Sequence, residues 1–266
     1  MKLNLFIIGM HRSGTTFLFE QLCKNNRIHF LPVKENNFFV DDVFLKNKLS
    51  NNHRALNDIN NINFTDIDNK YKYFLDASVN HFYSKFAPSR ILNYNINSKI
   101  ILIRRNPIER LISHYKLDFY SNYNSRSLDD SIELELKNNI CGSDLGYLEM
   151  SFFKKYYQNW KNLFNKNILI LDFESINNPG YLNQKLSHFL NLKITINNFN
   201  KTNQSVVPKY PNLNRVLQNK LIKNFLFSIL PKNILNFYKV KFHDNDKKIF
   251  ISKNIKCKLN RYFEKN

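Results

Sequence analysis

The sequence predicts an α/β fold: a three-layer arrangement in which helices flank a central parallel sheet. Three observations carry that expectation. Apolar runs of strand length recur at residues 5–8, 73–78, 99–105 and 167–176, and unbroken runs of this kind suit strands covered on both faces. Stretches with helical spacing lie between them, from Thr15, from Pro107, across 147–164 and from Pro179 to Leu190, and such alternation is the mark of a parallel sheet. The chain has 266 residues, 43% hydrophobic and 15% aromatic, enough to bury one substantial core. A single domain over 1–266 is the simplest count, with a helical C-terminal part from about 201 to 266.

The first element is the most specific. Residues 5–8 run into a turn bounded by Gly9 and Gly14, and a helix is expected from Thr15 to about Asn25. A turn that opens a helix aims unpaired N–H groups and the positive end of the helix dipole at one spot, which suits phosphate or sulfate. His11, Arg12, Ser13, Thr15 and Thr16 add further donors. The glycine spacing matches the P-loop of nucleotide-triphosphate enzymes, G-x-x-x-x-G-K-[ST], but Thr15 stands where that loop has lysine. A P-loop-like turn without that lysine, with its cation inside the turn at Arg12, suits one phosphate beside a second anionic group.

The remaining elements follow in order. A second strand is expected near His29, followed by the segment LPVKENNFFVDD, with Asn-rich, variable helical sequence across 47–69. Lys34 and Glu35 should point apart if their segment is extended, and Phe38 and Phe39 read as core or pocket wall. Strand 73–78 precedes His81. Strand 99–105 ends in Arg104 and Arg105, whose side chains face opposite ways if the strand persists, and Pro107 preorganises the next helix. Residues 121–146 have no clear periodicity and read as a lid. Trp160 reads as core, and Arg110 as a structural ion-pair residue.

These motifs resemble the sulfotransferases that use 3′-phosphoadenosine 5′-phosphosulfate (PAPS), over nearly the whole chain. RSGTT, residues 12–16, is similar to the family's first phosphate motif. Its arginine looks like that of the tyrosylprotein and many bacterial branches, where glycan and cytosolic members more often have lysine. The resemblance implies that His11, Arg12, Ser13, Gly14, Thr15 and Thr16 bind the 5′-phosphate end, with Arg12 also acting in catalysis. RNPIER, with Ser113 eight positions after Arg105, resembles the 3′-phosphate site. K-E-x-x-F-F looks like the glycan-modifying branch and makes Glu35 the candidate general base, since in-line attack on sulfur needs the acceptor hydroxyl deprotonated. His81 is the alternative base, as in cytosolic relatives, although Asp76 and Ala77 stand where the family has a lysine just before the serine. Lys209 is a further candidate for the cofactor.

The implied reaction moves a sulfuryl group from PAPS to an acceptor hydroxyl, with a carbohydrate the expected acceptor and no metal. A P-loop kinase and a non-catalytic polyanion binder on the same fold are the competing readings. Net charge is +19, from 40 Lys+Arg against 21 Asp+Glu. The abundance of Asn, Ile, Phe and Tyr with only five glycines reads as genome bias, so the charge is not taken as a nucleic-acid signal. Cys23, Cys141 and Cys257 make no disulfide framework, which favours a cytoplasmic setting. No run is long enough for a spanning helix, and a strand so near the start leaves no room for a signal peptide. Residues 221–230, apolar between lysines and Pro231, read as a packed helix in preference to a membrane-surface one. His243 and the basic ending read as solvated surface.

Overall fold

The computed structural model describes residues 1–31, 34–40, 59, 70–120, 123–137, 146–196, 207–208, 243–244, 249 and 251–265. Five strands, β1 (Leu5–Gly9), β2 (Ile28–Phe30), β3 (Tyr73–Ala77), β4 (Lys99–Arg104) and β5 (Ile168–Asp172), form one sheet in the order β2-β3-β1-β4-β5. Every neighbouring pair is parallel. Among the described residues the α-helices are α1 (Thr15–Leu22), α2 (Asn80–Tyr83), α3 (Ala87–Tyr94), α4 (Pro107–Tyr120), α5 (Leu128–Leu136), α6 (Phe153–Phe164), α7 (Pro179–Leu190) and α8 (Lys253–Lys265). A two-residue antiparallel pair, Val207–Pro208 with His243–Asp244, stands apart from the sheet.

The unbroken apolar strands are explained by two cores. Phe6 and Ile8 of β1 join Ile100, Leu102, Phe82, Trp160 and Phe164 on one face. Leu5 and Ile7 join Leu18, Leu22, Ile101, Ile103, Leu182 and Leu186 on the other. Successive side chains alternate across the sheet, so a strand buried on both faces is apolar at nearly every position, Asp76 of β3 being a buried exception. Trp160 is fully buried and donates from its indole nitrogen to the Phe82 carbonyl, as core packing requires. Helix α1, only eight residues, is too short to persist alone. It is fixed by Leu18 and Leu22, both fully buried, each contributing about 1.5–3 kcal/mol.

Four expectations need correction. Residues 121–146 are not all without regular structure: Ser127 caps α5 by accepting from the Asp130 N–H. Leu128 and Ile132 then pack with Leu111, Tyr147, Ile255 and Leu259 into a third cluster. Apolar and acidic residues alternating from Ile132 to Leu136 blurred the period there. The same cluster shows that the basic C-terminal stretch is not wholly solvated surface, because α8 buries Ile255 and Leu259 while Lys258 pairs with Glu133. Arg110 is structural but bonds neutral groups: it is fully buried, donating to Ser151 Oγ, the Tyr147 carbonyl and His114 Nδ1. Helix α1 also ends at Leu22, short of Asn25.

Candidate active site

The sheet order creates the site. The chain leaves β1 toward β2 and leaves β4 toward β5, on opposite sides, so the loops after β1 and β4 part and open a crevice at the C-terminal edge. The two phosphate-like motifs occupy those two loops.

The loop after β1 is tight for steric reasons. Gly9 has φ +152, and a Cβ there would lie 2.4 Å from the Ile103 carbonyl oxygen on β4. Gly14, the N-cap of α1, has φ +87, and a Cβ would meet Ile176 at 2.9 Å and Phe173 at 3.1 Å. Only glycine suits both. Between them Arg12 is also left-handed, at φ 68. Ser13 is fully buried and donates to the Met10 carbonyl, closing the turn. No side chain caps α1, so the positive end of the helix faces the crevice. The His11 N–H donates to Tyr83 Oη, and His11 Nε2 lies 2.9 Å from Asn80 Oδ1. His11 is therefore tied to α2 as well as standing in the loop.

The motifs meet directly. Arg105 Nη1 donates to the Arg12 carbonyl at 2.9 Å, and Arg12 Nε donates to Ser113 Oγ at 3.2 Å. The Arg105 guanidinium lies 4.2 Å over the ring of Phe173, just beyond β5. Arg105 Nε is buried without a partner. Burial, then the Arg105 charge, pushes the Arg12 pKa down, and burial does the same to Arg105. Two desolvated guanidiniums facing one crevice favour an anion there. Arg104 instead points outward, paired with exposed Asp172, as the alternation of the strand requires. Beside Arg105 a cleft of about 600 Å³ is lined by Arg104, Phe152, Phe153, Lys154, Glu174 and Phe263 among others.

The segment carrying Lys34 and Glu35 departs from the extended form expected of it. Glu35 and Asn37 have φ 62 and 56, so the two side chains converge instead of diverging. Lys34 Nζ lies 2.9 Å from Glu35 Oε1, 3.1 Å from Thr16 Oγ1 and 3.3 Å from Thr15 Oγ1. Glu35 Oε2 accepts from the Val79 N–H at 2.8 Å. The turn is strapped to the β3–α2 junction by Glu35 N to the Ala77 carbonyl, Asn36 Nδ2 to Asp76 Oδ1 and Asn37 N to Ser78 Oγ. Phe39 is buried in the core, with Phe38 packed against it.

His81 belongs to that support, away from the crevice. It is fully buried, and its Nε2 accepts from the Phe39 N–H at 3.4 Å. Its Nδ1 faces Asp76 Oδ2 at 3.7 Å. Burial lowers the His81 pKa to about 3 and raises that of Asp76 to about 6. A base that is sealed off and resists protonation is poorly placed to meet an acceptor, whereas Glu35 is partly exposed. Phe173, Asn36 and Asn80 were not singled out by the sequence. An aromatic residue directly after a strand of the sheet, as Phe173 is, was the available signal. Lys209, Cys141 and residues 221–230 lie outside the described residues. Among the described residues no three His, Cys, Asp or Glu side chains gather as a metal site, and no helix is long and apolar enough to cross a membrane.

The family described as "Sulfotransferase domain" matches residues 2–263. Among solved structures the chain is similar to a sulfotransferase from Alicyclobacillus acidocaldarius, at 15% identity and a TM-score of 0.67, covering 100% of this chain and 92% of that one. It also aligns with a mouse sulfotransferase complexed with PAP, at 14% identity and TM-score 0.46, covering 100% and 90%. A retinol dehydratase in complex with retinol and PAP aligns at 12% identity and TM-score 0.45, covering 100% and 81%.

Proposed function

The chain belongs to the sulfotransferase-domain family, and on that premise we propose that it transfers a sulfuryl group from PAPS to a carbohydrate hydroxyl in the cytoplasm, with Glu35 as general base. The observation that carries the reading is the union of both phosphate motifs through the Arg105–Arg12 bond, with Glu35 at the mouth of the same helix N-terminus.

Arg105 and Ser113 bind the 3′-phosphate in this reading. The orphaned, buried Arg105 Nε supports that assignment, since a phosphate oxygen would satisfy it. The N–H groups opening α1, Ser13, Gly14 and the hydroxyls of Thr15 and Thr16 bind the 5′-phosphate end, with His11 beside them. Arg12 stabilises the charge that develops on the bridging oxygen. Arg12, Arg105 and Lys34 together neutralise the anionic donor, a task shared with magnesium at nucleotide-triphosphate sites. Glu35 accepts the proton of the acceptor hydroxyl. Thr15 at the lysine position argues against the kinase alternative.

The carbohydrate part rests on the likeness of K-E-x-x-F-F to the glycan-modifying branch, and the cytoplasmic part on three scattered cysteines. The test is incubation of the protein with PAPS and a panel of sugars, phenols and apolar alcohols, read by mass spectrometry. Sulfated sugar is the expected product. Transfer only to a phenol or an apolar alcohol overturns the acceptor assignment, and no PAPS turnover with any acceptor overturns the activity.

A further inference from the structure

The loop after β1 lacks its lysine, yet an ammonium reaches the same place from another segment. Lys34 Nζ touches the hydroxyls of Thr15 and Thr16, the first two residues of α1, and one carboxylate oxygen of Glu35. An ammonium has three protons, and these three acceptors use all of them. We propose that Lys34 is a catalytic residue that moves between two partners: it holds Glu35 Oε1 in the free protein and turns to the 5′-phosphate end of the donor when the donor binds. The proposal rests on the donor and base assignments above.

The physical basis is competition for one cation. An oxygen of the 5′-phosphate, seated at the N-terminus of α1, arrives beside Thr15 Oγ1 and Thr16 Oγ1. Charge-assisted bonds are about twice as strong as neutral ones, so the anion takes the Lys34 hydrogen bonds from the two hydroxyls, and the ammonium moves toward it and away from Glu35 Oε1, a partly exposed pair that holds it only weakly. The hydroxyls can then rotate to donate to the anion. Glu35 keeps its bond from the Val79 N–H on Oε2, while Oε1 becomes available. Both side chains are partly exposed, at 20% for Lys34 and 27% for Glu35, so neither is locked by packing.

The chemical step balances. The acceptor oxygen forms its bond to sulfur as the bond from sulfur to the bridging phosphate oxygen breaks. The electron pair leaves on that oxygen, and the hydroxyl proton passes to Glu35 Oε1. Lys34 stays protonated throughout and donates hydrogen bonds only. Glu35 is thus freed as base when the donor is in place, which makes the reaction ordered, donor first.

A double-mutant cycle on the affinity for 3′,5′-adenosine bisphosphate tests this, with Lys34→Met and Glu35→Gln in the full chain. Lys34→Met should weaken binding roughly tenfold or more, the worth of a charge-assisted bond. Glu35→Gln should tighten it about fivefold, because a partly exposed ion pair no longer competes for Lys34. That gain should shrink toward nothing in the Lys34→Met background, and Lys34→Arg should restore much of the binding. Unchanged binding in Lys34→Met, with only turnover reduced, would make Lys34 a plain anchor of Glu35 and overturn the proposal. An equal gain from Glu35→Gln in both backgrounds would do the same, since the two residues would then act independently. Failure of the unmutated protein to bind the bisphosphate would instead strike at the donor assignment itself.

Discussion

Arg105→Ala separates the donor site from its surroundings most sharply. The Arg105 side chain is held on two sides, by Nη1 on the Arg12 carbonyl at 2.9 Å and by the guanidinium face 4.2 Å over Phe173, and its Nε is buried and unpartnered. It is therefore preorganised, and little rotamer entropy remains to be lost when phosphate binds. One charge-assisted bond to phosphate contributes about 1.5–3 kcal/mol. At about 1.4 kcal/mol per tenfold, the variant should bind 3′,5′-adenosine bisphosphate roughly 10- to 100-fold more weakly by calorimetric titration. Arg105→Lys keeps a charge but loses the fork, so it should fall between the two. Arg104→Ala is the internal control: its exposed pair with Asp172 is worth no more than about 1 kcal/mol, and binding should hold within about fivefold. Equal losses for Arg104→Ala and Arg105→Ala would refute the reasoning, because general electrostatics and not a shaped phosphate site would then govern affinity.

Other outcomes follow from the same structure. Glu35→Gln should lower kcat about 10²- to 10⁴-fold, the loss typical of a general base, measured with saturating PAPS and a competent acceptor. Gly9→Ala drives a Cβ to 2.4 Å from a backbone oxygen of β4, so it should cost about 1–3 kcal/mol in denaturant unfolding. The buried pair gives opposed pH effects. The folded-state pKa of Asp76 is raised to about 6, so its contribution favours folding at low pH and is lost as pH rises through about 6. That of His81 is lowered to about 3, so its contribution is present above the ordinary histidine range and is lost as pH falls toward about 3. The two oppose each other between roughly pH 4 and 6. Asp76→Asn should therefore steepen the fall of the thermal midpoint on acidification, and His81→Gln should flatten or reverse it.

Period and spacing made the sheet legible. Each of the strands at 73–77, 99–104 and 168–172 is nearly continuous in apolar residues because both its faces are covered, and a strand of that kind announces itself without an alignment. Gly9, Arg12, Gly14, Arg105 and Ser113 were legible for a different reason: each is tied to a backbone constraint or to a fixed offset on a helix. Lys34 was misjudged because its direction depends on two closely spaced departures from extended backbone, at Glu35 and Asn37; asparagine is enriched at φ > 0, but glutamate gives no such signal. The burial of His81 was invisible for a related reason. A histidine after a strand looks the same whether it faces a crevice or, as here, props the turn beneath it through the Phe39 N–H. Helix α5 was hidden because its inward face is held by α8, more than a hundred residues away in sequence, and that pairing leaves little mark on local periodicity.

A donor site for a bisphosphorylated adenosine is tested most directly, and without need of an acceptor, by calorimetric titration of the unmutated protein with 3′,5′-adenosine bisphosphate alongside ATP with magnesium. Micromolar binding of the bisphosphate with little affinity for magnesium ATP is the predicted result. Preference for magnesium ATP, or binding of neither, would contradict it.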